Sequence, residues 1–296
     1  MSGEFSDPQS RSGRVGGLTA VGQLNWLGAR TASLRYLSFR LPIIRQGYKQ
    51  IEEMRALYAF HWSLVKLPGL RRAVLIFETV FEGDWDSYLG LLVERQGIAI
   101  DWHAFGLHSY PTTQNSKIFV NFLLEHHRPA SHFYVANPAL TIIDHENLKL
   151  TPGKLDRVRW WGAVLPIRPG HSRHIEQALH KLDKSPFNRP HIHSGRAVVF
   201  TEQNTDWLLF SIVYLDKMDK KDGFLDPFVE KENSFQMSIF NHCVDPVYNT
   251  EDLKKVLKSR QYGTKGREMT EWSDPVWRNG PHSIANSFST QGGACT

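Results

Sequence analysis

Histidine and glutamate side chains occur inside segments that the sequence predicts to be β-strands. Glu78 interrupts the apolar run Ala73–Phe81, and His61 lies in the strand before it. His191 and His193 share one face of a later strand, because alternate residues of a strand point to the same side. A buried carboxylate is costly unless it is paired or hydrated. We therefore expect Glu78 to line a cavity or to pair with an Arg or His side chain.

Two more predicted strands carry residues of the same kind. Asp101 and His103 share a face of a strand predicted at 98–107, and Asn241 and Cys243 share a face of a strand in the second half of the chain. If these faces point between two sheets, they form a polar pocket over an aromatic floor. The candidate ligand-binding residues are then His61, Glu78, His103, His191, His193 and Cys243.

A structural role for these residues is the alternative interpretation. Each histidine would then satisfy a local hydrogen bond, and Glu78 would lie at a sheet edge. A single perturbed group inside a core is more often structural than catalytic, so this alternative is the more common outcome. A nucleophilic pair of His242 and Cys243 is not expected, because adjacent strand residues point to opposite faces.

Motifs of other site classes do not occur in the sequence. It contains no HExxH, Walker loop, glycine-rich nucleotide loop or GxSxG, and its two cysteines form no CxxC pair. His191 and His193 could supply two metal ligands, but their spacing alone is a weak signal, and we predict no metal site. His126 and His127 end a predicted helix, where histidine is favourable for the helix dipole.

The composition is that of a globular protein. Hydrophobic residues make up 41% and aromatic residues 12% of the 296 residues, which is enough for a sizeable core. The sequence shows no apolar signal-peptide region and no run of about 18 apolar residues that would span a membrane. With only two cysteines, a disulfide scaffold is not expected, and a reducing compartment is favoured. We therefore expect a cytoplasmic protein.

Much of the net charge of +5 lies near the N-terminus, where no acidic residue occurs between Asp7 and Glu52. The segment Trp26–Gln46 has Arg at every fifth position from 30 to 45, beside a narrow apolar face. Such a segment could lie on an anionic membrane surface. It could instead pack on the sheet as a crossover helix, which we favour because the fold needs a helix there. Without a recognised motif, specific nucleic-acid binding is not predicted.

The order strand, helix, strand, strand, helix, strand occurs twice along the chain. Strands are predicted at 18–25, 58–67, 72–81 and 98–107, and again at 159–167, 191–200, 207–215 and 235–243. LIFETVF at 75–81 matches LLFSIVY at 208–214, and His61 is taken as the repeat equivalent of His193. This duplication predicts an α+β fold of tandem ferredoxin-like βαββαβ repeats. Their antiparallel sheets would pack as a dimeric-α/β-barrel-like core with the helices outside.

Helices and domain boundaries complete this prediction. Asp84 is expected to cap a helix that Gly97 closes, and further helices are expected from Lys117 and from His171. The predicted divisions are a flexible tail at 1–17, a first ferredoxin-like unit at 18–111, a helical connection at 112–156, a second unit at 157–260 and an extended tail at 261–296.

Four segments carry a resemblance to a known family: LIFETVFEGDWDSYL, SHFYVANPALTIID, VLPIRPG and HIHSGRAVVF. They resemble a group of uncharacterised bacterial, mainly actinobacterial, proteins with two ferredoxin-like repeats of the dimeric α/β-barrel superfamily. That superfamily includes dye-decolorising peroxidases, chlorite dismutases and small monooxygenases, so the resemblance implies haem or a small apolar ligand. The GxxDG motif of the peroxidases is not matched, because Glu82-Gly83-Asp84 lies in a different element. This departure argues against haem peroxidase activity.

Two functional hypotheses follow. The first is a barrel that binds a small apolar ligand or haem between its sheets, with His61, His193 and Glu78 as polar anchors and with oxidoreductase activity as an extension. The second is a non-catalytic interaction or assembly protein, whose tails bind a protein partner or a second copy of the chain. The sequence does not identify a catalytic residue for either hypothesis.

Overall fold

The described part of the molecule contains ten strands, three named helices and shorter helical stretches at 26–31, 239–240 and 255–256. The computed structural model describes residues 11–31, 57–65, 67, 72–139, 158–182, 187, 192–215, 239–244, 255–256, 261–262 and 287–290. The strands are β1 Arg11–Ser12, β2 Val15–Gln23, β3 Leu57–Val65, β4 Val74–Glu82, β5 His132–Val135, β6 Val158–Pro166, β7 Ile192–Glu202, β8 Thr205–Leu215, β9 Gln261–Tyr262 and β10 Ser287–Thr290. The helices are α1 Trp85–Ala104, α2 Ser116–His126 and α3 Ser172–His180.

The strands form two sheets with the same internal order. The first sheet runs β1-β2-β4-β3-β10 and the second runs β5-β7-β8-β6-β9. In each, the third long strand lies between the first and the second, and these long strands are antiparallel. β4 and β8 therefore occupy equivalent central positions, as the match between LIFETVF and LLFSIVY predicted. The α+β fold of tandem ferredoxin-like repeats is confirmed.

The two sheets pack face to face, and the helices cover their outer faces. Alternate residues of the strands divide between the two sides. On the inner side, Val21 and Ile76 of the first sheet share a buried cluster with Leu209 of the second. On the outer side of the first sheet, Phe81 stacks on Tyr88 of α1 with ring centroids 4.1 Å apart. The molecule thus has four layers, and burial of both sheet faces explains the long apolar runs of the central strands.

The strand predicted at 98–107 is wrong, because α1 continues through it to Ala104. Asp84 caps α1 as predicted, accepting a hydrogen bond from the Ser87 amide at 2.8 Å, but Gly97 does not end it. A side chain at Gly97 would meet the Thr113 hydroxyl at 2.7 Å. The carboxylate of Asp101 accepts from the Thr113 amide at 2.7 Å and hydroxyl at 3.0 Å, which binds the helix to the following loop.

The strand predicted at 235–243 is also wrong over its described residues, since 239–240 are helical. What remains of each predicted fourth strand is one bridge at its last residue: Leu107 pairs with Leu24, and Cys243 pairs with Ile167. By the strand registers Leu24 and Ile167 hold equivalent positions in the two sheets. The repeat therefore extends to these bridges, although the described residues of neither predicted fourth strand are extended beyond them.

Other predicted elements are described only in part. The segment predicted as the crossover helix, Trp26–Gln46, is helical at 26–31, and its remainder lies outside the described residues. Helix α2 is confirmed close to its predicted bounds. Among the described residues, no helix combines the length and the apolar character that crossing a membrane requires.

Gly106→Ala is expected to destabilise the fold by about 2 kcal/mol or more. Gly106 has a φ of +83°, and a Cβ there would lie 2.3 Å from the Cα atom of Gly28. Gly90→Ala in helix α1 is the matched control, because a Cβ at Gly90 would have no neighbouring atom within 4 Å. It should stabilise by about 0.5–1 kcal/mol. Urea denaturation of both variants measures the difference, and equal midpoints would contradict the close contact.

Candidate functional site

Five polar or aromatic side chains meet in the middle of the apolar layer between the sheets. This inner polar cluster consists of His61 on β3, Glu78 on β4, Trp160 on β6, Arg196 on β7 and Ser211 on β8. Their exposed fractions are 0%, 0%, 2%, 3% and 1%. A charged pair buried this deeply needs direct partners, since water cannot solvate it.

Glu78 has these partners in the opposite sheet. Its carboxylate accepts hydrogen bonds from Ser211 Oγ at 2.6 Å and from Trp160 Nε1 at 3.1 Å. The Arg196 Nε atom lies 3.9 Å from the same carboxylate. The sequence predicted that Glu78 would line a cavity or pair with Arg or His, and the pairing with Arg is what the structure shows. The alternative that placed Glu78 at a sheet edge is wrong, because β4 is the middle strand of its sheet.

Arg196 joins both sheets through its guanidinium group. It donates to the carbonyl of Leu18 at 2.8 Å, to the hydroxyl of Thr19 at 3.0 Å and to the carbonyl of Thr79 at 3.0 Å. These acceptors belong to β2 and β4, whereas Arg196 belongs to β7. The planar donor set of arginine suits such a multiple contact. Sequence analysis missed Arg196 as a site residue, although an arginine inside a mostly apolar strand was the available signal.

His61 is held in a neutral state by its surroundings. It lies directly across from Glu78 in the β3–β4 pairing. Its Nε2 atom hydrogen-bonds with Ser63 Oγ, and its ring stacks on Trp160 with centroids 5.4 Å apart. Complete burial lowers the pKa of His61 to about 3. A histidine of this kind is a structural member of the cluster and a poor proton carrier at neutral pH.

The strand registers correct the predicted equivalence between His61 and His193. His61 pairs with Glu78, and Arg196 pairs with Ser211, so His61 is equivalent to Arg196 and Glu78 to Ser211. Each of the two strands contains one irregularity, at Tyr58 in β3 and at His193 in β7. An extra residue of this kind is a β-bulge, and beyond it the alternation of side chains between the two faces of the sheet is shifted by one residue.

Tyr58 is therefore the repeat equivalent of His193. The two rings pack against each other with centroids 5.1 Å apart. Two equivalent residues that touch must lie near the two-fold axis that relates them. Glu78 and Ser211 are also equivalent residues in contact, so they lie near the same axis. The approximate symmetry axis of the molecule thus passes through the inner polar cluster.

The remaining candidate residues do not join this cluster. Cys243 is fully buried on the outer face of the second sheet, in the apolar cluster with Ile175 and Leu179 of α3. The prediction that it faces the inter-sheet pocket is wrong, because Cys243 packs on the outer side and the described residues before it are not a strand. His103 belongs to helix α1 and shares no strand face with Asp101, and its side chain is outside the described part. His191 lies outside the described residues.

The inner layer does not fit haem at the predicted position. The two sheets are joined there by direct hydrogen bonds of Glu78 to Ser211 and Trp160. The His61 ring that would serve as an axial ligand is stacked on Trp160 and bonded to Ser63. A macrocycle at this level would have to break these contacts. Among the described residues, no three His, Cys, Asp or Glu side chains are arranged to hold a metal ion.

An outer cleft lies between the first sheet and the helices α1 and α2. Its free space is about 350 Å³ including the open mouth, of which about 20 Å³ is wide enough for a water molecule. The lining is mostly apolar and includes Ala20, Leu75 and Ala104. The aromatic side chains that line it are Trp62, Phe77, Tyr110, Phe119, Phe122 and His126.

Two polar groups lie among these aromatic walls. Tyr110 donates its hydroxyl proton to Asp101 at 2.7 Å, and burial, followed by the hydrogen bond and charge of Asp101, raises the pKa of Tyr110. His126 Nδ1 lies 2.8 Å from the carbonyl of Phe122. A carbonyl only accepts, so Nδ1 carries a proton and Nε2 of the neutral ring remains an acceptor. Sequence analysis assigned His126 to a helix end and predicted Tyr110 no role.

Comparisons with known proteins assign no family to this chain. No family model matches it, and no curated protein matches it. The solved structures to which it is similar include a "Putative monooxygenase" from Fusobacterium nucleatum subsp. nucleatum ATCC 25586, at 9% identity and a TM-score of 0.33, covering 78% of this chain and 87% of that one. A "putative monooxygenase" from Lactobacillus acidophilus NCFM shares 11% identity over 67% of this chain and 76% of that one, with a TM-score of 0.27.

A third similar structure is that of an anthrone oxidase-like protein. It shares 8% identity over 90% of this chain and 91% of that one, with a TM-score of 0.31. With TM-scores this low, none of the three similarities contributes to the assignment of a function to this chain.

Proposed function

We propose that this protein binds a small, mostly aromatic molecule that carries a hydroxyl group, and that it does so in the outer cleft. The observation that carries the proposal is an aromatic-lined free space beside the buried outer core of the first sheet. The sequence predicted a ligand between the sheets, where Glu78 and its partners occupy the middle of the layer. The proposed site therefore moves to the other face of the first sheet.

We propose a hydroxyl group on the ligand because the cleft contains hydrogen-bond acceptors. The His126 Nε2 atom accepts in the neutral ring, and the Tyr110 oxygen keeps lone pairs after donating its proton to Asp101. A ligand hydroxyl can donate to either acceptor, while the aromatic body of the ligand contacts Phe119 and Phe122. Because the wide part of the cleft is small, the walls must separate before a ring system enters.

1-Naphthol and naphthalene are suitable probes of this site. We expect the full-length protein to bind both in saturation-transfer NMR titrations, and to bind 1-naphthol more tightly. Ala104→Leu fills the cleft wall and should weaken both ligands by about tenfold or more. The preference for 1-naphthol over naphthalene should be about 2- to 10-fold, the contribution of one hydrogen bond. His126→Phe keeps the aromatic wall but loses the acceptor, so it should remove most of this preference.

Ala178→Leu on helix α3 is the matched control, because Ala178 lies at the outer face of the second sheet. It should leave the affinity for both ligands unchanged. If neither molecule binds to the wild-type protein, or if Ala104→Leu binds them as well as the wild type does, the proposal is wrong. Circular dichroism of each variant separates lost binding from lost folding.

Several sequence-based predictions remain proposals beside this one. They include oxidoreductase activity on the bound molecule, a cytoplasmic location in a bacterial cell, and membership of the dimeric α/β-barrel superfamily. The second functional hypothesis, an interaction protein that binds a partner or a second copy through its tails, falls mainly on segments outside the described residues. The predicted domain boundaries at 18–111, 112–156 and 157–260 likewise remain proposals.

A further inference from the structure

Large apolar side chains are exposed together at one place on the surface. Six such side chains are exposed in the described part of the chain, and four of them belong to two short segments. Trp26 and Leu27 are 65% and 47% exposed, and Trp102 and Phe105 are 45% and 46% exposed. We call these four residues the aromatic patch. Patches of several hundred square ångströms commonly mark an interaction site on a soluble protein.

A backbone contact brings the two segments of the aromatic patch together. The Cα atoms of Gly28 and Gly106 lie so close that a Cβ on Gly106 would be 2.3 Å from Gly28. The Asn25 amide donates to the carbonyl of Gly106 at 2.6 Å, and the Gly28 amide donates to the Asn25 side chain at 2.7 Å. Since each glycine is within two residues of patch members, the contact holds the N-terminal segment beside the end of helix α1.

A basic side chain lies beside the N-terminal half of the aromatic patch, within a stretch of sequence that is rich in Lys and Arg. The Arg30 guanidinium lies 4.4 Å from the ring centroid of Trp26. In the sequence, the stretch between Asp7 and Glu52 contains seven Lys and Arg residues and no Asp or Glu. A bilayer of anionic lipid presents a negative surface, which attracts a basic side chain and a Lys- and Arg-rich stretch of this kind. Tryptophan is also the side chain best suited to the boundary between lipid headgroups and acyl chains.

We propose that the aromatic patch docks on an anionic lipid surface. The side chains of Trp26, Trp102 and Phe105 enter the headgroup region, and Arg30 contacts lipid phosphate. The sequence favoured packing of Trp26–Gln46 on the first sheet, but Trp26 and Leu27 face solvent at its start. Trp102 and Phe105, which belong to a different part of the chain, were not predicted to take part. This function is independent of ligand binding in the outer cleft.

Flotation of the full-length protein with vesicles tests this proposal. Vesicles of phosphatidylcholine with 30% phosphatidylglycerol should carry the protein upward at low salt, and pure phosphatidylcholine vesicles should carry much less. The double variant Trp26→Ala/Phe105→Ala should reduce partitioning by at least about tenfold. Raising the salt to 0.5 M should weaken binding as well, since it screens the basic residues.

The matched control is Ile118→Ala/Val244→Ala, which removes the other two exposed apolar side chains at 52% and 51% exposure. It should float like the wild type. The proposal is overturned if the wild-type protein does not float with anionic vesicles, or if both double variants lose binding equally. If light scattering instead shows a dimer that only Trp26→Ala/Phe105→Ala dissociates, and flotation is absent, the patch is the contact with a second copy of the chain.

Discussion

Replacing Arg196 with Met should lower the free energy of unfolding by about 3–5 kcal/mol. The substitution leaves the Glu78 carboxylate in a dry layer without its cation. It also removes the donor from the buried carbonyls of Leu18 and Thr79. Each buried acceptor that loses its donor adds to the cost. Chemical denaturation monitored by circular dichroism measures the change.

Two further variants show whether this cost comes from the stranded charge. Glu78→Leu together with Arg196→Met leaves no buried charge, so the double variant should be more stable than Arg196→Met alone. Arg95→Met is the matched control, because Arg95 is 43% exposed and contacts Glu94 at 3.8 Å on the surface. It should change stability by less than about 0.5 kcal/mol. A double variant less stable than both single variants would refute the ionised pair.

Acid is the second condition with a large expected effect. His61 has a pKa of about 3 in the folded protein, against 6.5 in the unfolded chain. Above pH 6.5 the ring is neutral in both states, and stability does not depend on it. Below pH 6.5 only the unfolded chain takes up the proton, so stability falls as the pH approaches 3. At pH 4 the loss from His61 alone should be about 3 kcal/mol.

Two partly buried histidines are expected to lower the stability in acid as well. Burial, followed by the charge of His180, lowers the pKa of His132, and burial, followed by nearby His and Arg side chains, lowers that of His242. Denaturation at pH 7, 5.5 and 4 should therefore show a steep loss in the wild type and a smaller loss in His61→Gln. The exposed His108 provides a control variant, His108→Gln, that should keep the wild-type pH dependence. The same slope in His61→Gln as in the wild type would show that His61 is not the group that titrates.

The central strands could be predicted because burial on both faces leaves a long apolar run. β4 and β8 are observed at Val74–Glu82 and Thr205–Leu215, close to the predicted 72–81 and 207–215. The segment 98–107 was mispredicted because the spacing of its apolar residues fits both the two-residue period of a strand and the 3.6-residue period of a helix. The helical form is stabilised by the loop that follows, where Tyr110 and Thr113 donate hydrogen bonds to Asp101. Such contacts between distant residues do not appear in local patterns.

The site was predictable in kind but not in detail. An isolated acid in an apolar strand predicted that Glu78 lines a cavity or pairs with Arg or His, and the structure pairs it with Arg196. The identity of that partner depends on how the two sheets lie against each other. The equivalence of His61 and His193 failed because it rested on matching histidines in the sequence, whereas the strand registers place His61 at the position of Arg196. The cleft was not predicted, since residues from α1, α2 and three strands form it.

The contact between Glu78 and Ser211 distinguishes this chain from a dimer of identical halves. In such a dimer, every residue on the two-fold axis would meet its own copy. Two copies of Glu78 would then place two carboxylates within hydrogen-bond distance, and both could not remain ionised. Two copies of Ser211 would leave no buried anion for an arginine to neutralise. An ionised acid opposite a hydroxyl is possible at this axis only when the halves are encoded separately and have diverged. A single chain with two non-identical halves can therefore hold at its centre a side-chain pair that a dimer of identical halves could not.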